Sequence, residues 1–209
     1  IAIIGSGISG LTAAYILSRK NDITVFEKND YIGGHTHTHE IEEEGKTVSV
    51  DSGFIVYNER TYPNFINILN KLGVQSQLTR MGFSVKSEKD NLEYAGHSLD
   101  GLFAQRSNLI RPSFLKILYG MARFNSKARK DLPHLIPEVT LGEYLYSNNY
   151  SKEFIKNYII PIGAAIWSTV PDDMLEISAI FFIRFFDNHG LLQIIDRPNW
   201  WVIKGGSKK

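Results

Sequence analysis

Glycine, serine and glutamate carry the chemistry at the start of this chain. Residues 5–10 read Gly5-Ser6-Gly7-Ile8-Ser9-Gly10, after the apolar run 1–4 and before Leu11-Thr12-Ala13-Ala14-Tyr15-Ile16-Leu17. G-x-G-x-x-G between a strand and a helix predicts a turn that binds a pyrophosphate. Gly5 permits the tight turn off the strand, Gly7 lets backbone approach the phosphates, and Gly10 lets the helix pack closely on the sheet. Ser6 and Ser9 share that turn. The helix N-terminus adds free N–H groups and a positive dipole end, which suit a dianion. Glu27 lies 17 residues past Gly10, at the end of the apolar stretch 23–26, with Lys28 beside it. A carboxylate there accepts hydrogen bonds from ribose hydroxyls and repels a 2′-phosphate, which favours an adenosine diphosphate moiety without one. The elements that must position these groups are a parallel strand, a crossover helix and a second strand. The unbroken apolar run 1–4 implies a first strand covered on both faces. The same glycines could make nothing more than a tight βα turn, but four elements agree in order and spacing.

Gly33-Gly34, followed by His35-Thr36, is the discriminating addition. A nicotinamide-binding domain does not need a second glycine pair five residues after the acid. With it, the chain resembles the two-dinucleotide-binding flavoproteins, and within them the amine-oxidase-type flavoproteins. More narrowly it is similar to a bacterial group of NAD/FAD-binding oxidoreductases linked with cyclopropane fatty acid synthesis. That match is carried by Asp51-Ser52-Gly53-Phe54-Ile55-Val56-Tyr57-Asn58, Tyr62-Pro63, Leu72-Gly73-Val74, Leu92-Glu93-Tyr94-Ala95-Gly96, Arg197-Pro198-Asn199-Trp200 and Gly205-Gly206-Ser207. The resemblance implies FAD as cofactor, held by Gly5, Ser6, Gly7, Ser9, Gly10, Glu27, Lys28, Gly33, Gly34, His35 and Thr36. Asp51, Gly53 and Phe54 form a second tier near the flavin or the substrate entrance. Exchange of Glu27 for arginine is expected to weaken FAD retention and leave the fold largely intact.

The resemblance implies an α/β fold: a Rossmann-like FAD-binding βαβ unit with an interleaved, mostly helical (α+β) substrate or cap domain. Residues 1–57 are expected to form the first and 58–209 the second, before a return to the FAD domain. No Met precedes Ile1, and nothing matches the distant C-terminal segment with which that family closes its flavin site. An N-terminal fragment of a longer flavoprotein, inactive by itself, is therefore expected.

Composition fits a globular chain with a real core: 209 residues, 43% hydrophobic and 22% charged. The net charge of +1 gives no global argument for nucleic acid. The lack of cysteine excludes disulfides, thiolate metal sites, a redox dithiol and a cysteine-linked flavin. A cytoplasmic location, with no signal peptide, fits these features.

Apolar spacing predicts helices over 62–73, ending at Gly73, and over 112–130. Another is expected over 140–149, opened by Thr140 with Glu143 as a capping box. Two more are expected over 151–167, broken at Pro161, and over 173–187. Residues 41–45 read as turn-rich and 47–50 as a strand, together a small β element. Two short strands flank Lys89-Asp90-Asn91, and 194–203 reads as a returning strand.

Three features have a plain and a sharper meaning. His35, His37 and His39 share one face of an extended strand and could ligate a metal. A polar or flavin-side role is favoured, and no metal is expected. In the resembled family an Arg often stands beside the flavin phosphates at this point, and His35 can take over its hydrogen bond. Residues 101–130 hold seven basic residues and no acidic one. On a helix, Phe114, Ile117, Leu118, Met121 and Phe124 fall opposite Lys116, Arg123, Lys127 and Lys130. The plain meaning is a solvated basic face; the sharper one is peripheral contact of 111–130 with anionic lipid, not nucleic acid. The apolar stretches 154–167 and 177–195 are interrupted by charge, so neither spans a membrane. Phe181, Phe182, Phe185 and Phe186 read as core packing, or as the wall of an apolar tunnel.

No G-x-S-x-G, H-E-x-x-H or P-loop is present, and no spacing marks a catalytic residue. Three functions follow. The first is an FAD-dependent oxidoreductase taking hydride from an amine or a lipid-like substrate. The second is a flavin-dependent desaturase or isomerase on an acyl or isoprenoid lipid. The third is a non-catalytic module that binds ADP-containing dinucleotides.

Overall fold

The computed structural model describes residues 1–193 and 197–209, with backbone alone at Asp172. The described residues form two compact units, Ile1–Arg80 with Asn199–Lys209, and Met81–Pro198.

In the first unit β1 (Ala2–Ile4) and β2 (Thr24–Phe26) pair in parallel, Ile3 against Val25, with α1 (Ile8–Leu17) as the crossover. This is the expected βαβ unit of the α/β class. The expected cover of β1 on both faces is not met. Ile4 is 82% exposed, every residue of β2 is exposed, and α1 buries none of its own residues. Among the described residues β1 pairs with β2 only, so a single helix and a single strand surround it.

β3 (Thr38–Glu43) and β4 (Lys46–Asp51) form an antiparallel hairpin. Strand structure runs through 41–43, and only Glu44 and Gly45, both with positive φ, make the turn. That pair of left-handed residues matches the twist of a two-residue hairpin. β5 (Tyr57–Asn58), α2 (Pro63–Leu72) and β6 (Ser76–Thr79) follow. α2 opens on Pro63 and closes on Gly73 at φ 69, the left-handed stop its sequence predicts.

The second unit starts with the antiparallel pair β7 (Ser84–Ser87) and β8 (Leu92–Ala95), then α3 (Leu99–Leu102) and a 3-10 turn over Arg106–Ile110. α4 (Pro112–Asp131) buries Phe114, Ile117, Gly120, Phe124 and Ala128, the face its apolar spacing marks. α5 (Leu141–Ser147) carries the Thr140–Glu143 capping box in both directions. Thr140→Ala is expected to cost about 1 kcal/mol, read as a lower urea midpoint at unchanged slope.

Pro161 does not break the following helix. α6 (Lys152–Phe154) runs through a π turn, Ile155–Ile159, into α7 (Ile160–Trp167). Proline cannot donate to the carbonyl four residues back, and its ring crowds that carbonyl. Here that carbonyl belongs to Asn157, inside the wider π turn, and the Tyr94 hydroxyl donates to it at 2.8 Å. Tyr94 is 1% exposed. Tyr94→Phe is therefore expected to destabilise by about 1–3 kcal/mol, measured by equilibrium unfolding.

A 3-10 turn over Pro171–Leu175 precedes α8 (Ala179–Asn188), which begins later than its apolar run. Phe182 and Phe186 stack at 4.3 Å in the core with Phe124, Leu145, Phe154 and Met174, whereas Phe181 is 53% exposed. Among the described residues no helix is long and apolar enough to cross a membrane.

β9 (Trp200–Ile203) belongs to the first unit, antiparallel to both β5 and β6. The start of its expected range, 194–196, lies outside the described residues. This sheet, and the packing of Tyr57, Leu69 and Ile203 beneath it, group residues 58–80 with the βαβ unit. The compact units therefore divide after Arg80 rather than after residue 57.

Candidate dinucleotide site

β1 ends at Ile4, and Gly5 turns the chain at φ 92 while its N–H donates to Phe26 O at 2.7 Å. L-residues with a side chain rarely adopt that φ. Gly10 is fixed by packing: a Cβ there would stand 2.0 Å from Gly5 O. Gly34 is fixed similarly, since its Cβ would lie 2.9 Å from Gly7 Cα. Gly7 is different. Its φ of −70° and ψ of 176° suit any residue, and a Cβ would meet only Gly34 Cα, at 3.9 Å. Among the described residues nothing blocks a Cβ at this position. The space a side chain would fill lies at the N-terminus of α1, which has no side-chain cap and no acid in its first turn. An anion placed there meets the positive helix end, with no acid in the first turn of α1 itself.

The second glycine segment lies against the first. Gly33 N–H donates to Ser6 O at 3.1 Å, Gly7 and Gly33 form a parallel bridge, and Thr36 N–H closes a turn on Gly33 O at 3.1 Å. On its other side, Ser52 N–H donates to His37 O at 2.9 Å, and a Cβ on Gly53 would sit 1.8 Å from His35 O. Residues 33–36 thus run between the Gly5–Gly10 turn and the Asp51–Gly53 segment, so backbone lines both flanks.

Glu27 is committed to the turn. Its Oε2 accepts from Ser6 N–H at 2.8 Å and from Ser6 Oγ at 2.5 Å, and its Oε1 accepts from Asn29 N–H at 2.9 Å. The Asn29 N–H first, then the Ser6 hydroxyl and N–H, lower its pKa from the ordinary 4.5 to about 2. The carboxylate is solvent-facing, with lone pairs left for further donors. Ser6 is 2% exposed, so removal of Glu27 would strip a buried hydroxyl of its partner. The expectation that Glu27→Arg spares the fold does not survive this geometry. No sequence signal marks the Ser6–Glu27 pair, because serine between glycines is read only as a turn residue.

The second-tier residues separate. Asp51 is a clamp: it accepts from Thr38 Oγ1 at 2.6 Å and from Ser207 N–H and Oγ, each at 2.9 Å. Lys208 N–H adds a bond to Thr38 Oγ1 at 3.0 Å, so the Gly205-Gly206-Ser207 turn is tied to the β3–β4 hairpin. Phe54 packs edge-on against Phe65 and Tyr62, within the aromatic cluster around Tyr57. Ser9, Lys28 and His35 are exposed at the rim.

The three histidines do not converge. β3 begins at Thr38, leaving His35 and His37 before the strand. The His37 and His39 rings lie 4.2 Å apart, tilted by 33°, and His39 Nε2 lies 3.0 Å from Ser52 Oγ. Among the described residues no group of three histidine, cysteine or acidic side chains is placed to hold a metal.

β1, α1 and β2 together make a Rossmann-like βαβ unit. Residues 3–72 match the family of NAD(P)-binding Rossmann-like domains. Over 99% of its length the chain is similar in fold to solved amine oxidases. It superposes on cyclohexylamine oxidase from Brevibacterium oxydans with a TM-score of 0.65 and 20% identity, covering 99% of this chain and 46% of that one. A putrescine oxidase gives 0.63 and 18%, with the same coverage. A fatty acid isomerase from P. acnes, described as producing CLA, gives 0.59 and 16%, covering 99% and 47%. In sequence, 41 residues are 49% identical to a tryptophan 2-monooxygenase of Allorhizobium ampelinum, covering 19% of this chain and 6% of that protein. Another 40-residue match, 58% identical, is to a 1-hydroxycarotenoid 3,4-desaturase of Flavobacterium, covering 19% and 8%. The chain thus spans less than half the length of the solved structures, and the curated relatives are oxidoreductases.

Proposed function

We propose that this protein is an FAD-dependent oxidoreductase of the amine-oxidase type, and that the first unit holds the ADP half of the cofactor. The observation carrying this is Gly7, a glycine that the chain's own packing does not require, at an uncapped helix N-terminus facing a second glycine pair. Gly5, Gly7, Ser9 and Gly10 would line the pyrophosphate, while buried Ser6, whose N–H and hydroxyl both donate to Glu27, would hold the turn rather than the phosphate. Gly33, Gly34, His35 and Thr36 would flank it. Glu27 would accept the ribose hydroxyls, and Lys28 would stand at the rim. Asp51 and Gly53 would buttress this surface from behind, with Phe54 anchoring their segment.

FAD when bound supplies the acceptor for a hydride, so the protein contributes binding, orientation and exclusion of water. Glu27 stays ionised across the physiological range and needs no proton transfer to do its part. The amine oxidases among the structural neighbours favour an amine substrate. The local match to a carotenoid desaturase and the fold of the fatty acid isomerase favour a second reading, oxidation or isomerisation of an apolar chain. Anaerobic titration of the purified flavoprotein separates them. Bleaching of the flavin band by primary amines supports the first, and bleaching or isomer formation with unsaturated lipids supports the second. Response to neither class would contradict both substrate readings.

A further inference from the structure

α4 presents a face that the core does not use. Leu115 and Tyr119, one turn apart, are 46% and 70% exposed, on the side opposite Phe114, Ile117 and Phe124. Just before the helix, Leu109 and Ile110 are 53% and 85% exposed. Four large apolar side chains are thus open to water within 11 residues.

The charges beside it fall into two groups. Lys116 pairs with Glu153 at 2.7 Å, Lys127 with Asp131 at 2.9 Å, Arg129 with Asp187 at 3.1 Å, and Arg106 with Asp100 at 2.7 Å. The remaining three meet no carboxylate among the described residues. Arg111 donates to the carbonyls of Asp90 and Asn91. Arg123 stands over the Tyr150 ring at 4.6 Å. Lys130 is exposed at the far end of the helix. At 100° per residue, Arg123 and Lys130 border the Leu115–Tyr119 stripe along the helix. Apolar tips at the N-terminal end, a tyrosine between, and uncompensated cations along the rest are what an interfacial helix shows to a membrane.

We propose that this face docks on an anionic lipid bilayer, with Ile110, Leu115 and Tyr119 entering the headgroup–acyl boundary and Arg111, Arg123 and Lys130 meeting the phosphates. The charge excess selects a negatively charged surface, and no acidic residue interrupts 101–130. The inference is independent of the cofactor assignment, because none of these residues belongs to the dinucleotide unit.

The test is co-sedimentation of the protein with vesicles of phosphatidylcholine alone and of phosphatidylcholine with about one third phosphatidylglycerol. Binding is expected to the mixed vesicles, weakened by 0.5 M salt as for any screened surface attraction, roughly. Ile110→Asp with Tyr119→Asp should lower the bound fraction at least about tenfold. Both sites are solvent-exposed, so circular dichroism should be unchanged, and Arg123→Gln with Lys130→Gln should weaken binding without touching the apolar tips. No binding to mixed vesicles, or binding that ignores these substitutions, would overturn the proposal. So would equal binding to neutral vesicles, or a dimer abolished by Tyr119→Asp in protein that does not sediment with lipid.

Discussion

A Gly7→Val protein is expected to fold within about 1 kcal/mol of the parent, the scale of an N-cap exchange, and to bind FAD roughly 100-fold more weakly or worse. Two distances define the contrast. At Gly7 a new Cβ meets nothing closer than Gly34 Cα at 3.9 Å, in a backbone conformation that valine adopts freely. The side chain then fills the space that the pyrophosphate needs. At Gly10 the same change drives a Cβ to 2.0 Å from Gly5 O, a backbone atom that cannot swing away. Gly10→Val should therefore lose about 3 kcal/mol or more of stability, by forcing apart the turn and the helix. Thermal unfolding and FAD titration of the pair separate a position kept for the ligand from one kept for the fold. Unimpaired FAD binding by Gly7→Val would mean that the space beside it is not a phosphate site.

The second large effect is expected at Glu27. Glu27→Arg should weaken FAD binding about 10- to 100-fold, the range for losing a hydrogen bond to a charged group. It should also lower the melting temperature, because Ser6 N–H and Oγ lose their acceptor. Ser6→Ala, which keeps the carboxylate, should lower the melting temperature while retaining most of the affinity. If Glu27→Arg melts like the parent, the Ser6–Glu27 pair contributes nothing to the turn. The pH dependence has a definite sign. The folded pKa of about 2 lies below the ordinary 4.5. The stabilisation from Glu27 is therefore complete above pH 4.5 and is lost as pH falls toward 2. A carboxyl carbon titration by NMR should place the Glu27 midpoint near 2; a midpoint near 4.5 would show that the three donors do not hold the ionised form.

What the sequence makes legible here is local. The Thr140–Glu143 box, the Gly73 stop and the strands flanking Lys89-Asp90-Asn91 each depend on residues within a few positions, and each forms. The Gly5–Gly10 turn and the Gly33-Gly34 pair are legible for the same reason, and the structure sets them side by side. What is not legible depends on distant partners. Residues 58–80 join the first unit because β9 pairs with β5 and β6 from more than a hundred positions away. Asp51 turns out to be a clamp because Ser207, 156 residues on, donates to it. Pro161 is tolerated because Tyr94 serves the Asn157 carbonyl across 63 residues. The apolar run of β1 implies cover on both faces, but burial depends on what packs there, and Ile4 remains open to solvent.

The most direct test of the cofactor assignment is the visible absorption spectrum of the protein purified from its complete reading frame, with the released cofactor identified by chromatography. Flavin bands in the parent, free FAD after denaturation, and a colourless Gly7→Val variant are predicted. A colourless parent that binds NAD or ADP-ribose and refuses FAD would contradict it, leaving a dinucleotide-binding unit without flavin chemistry.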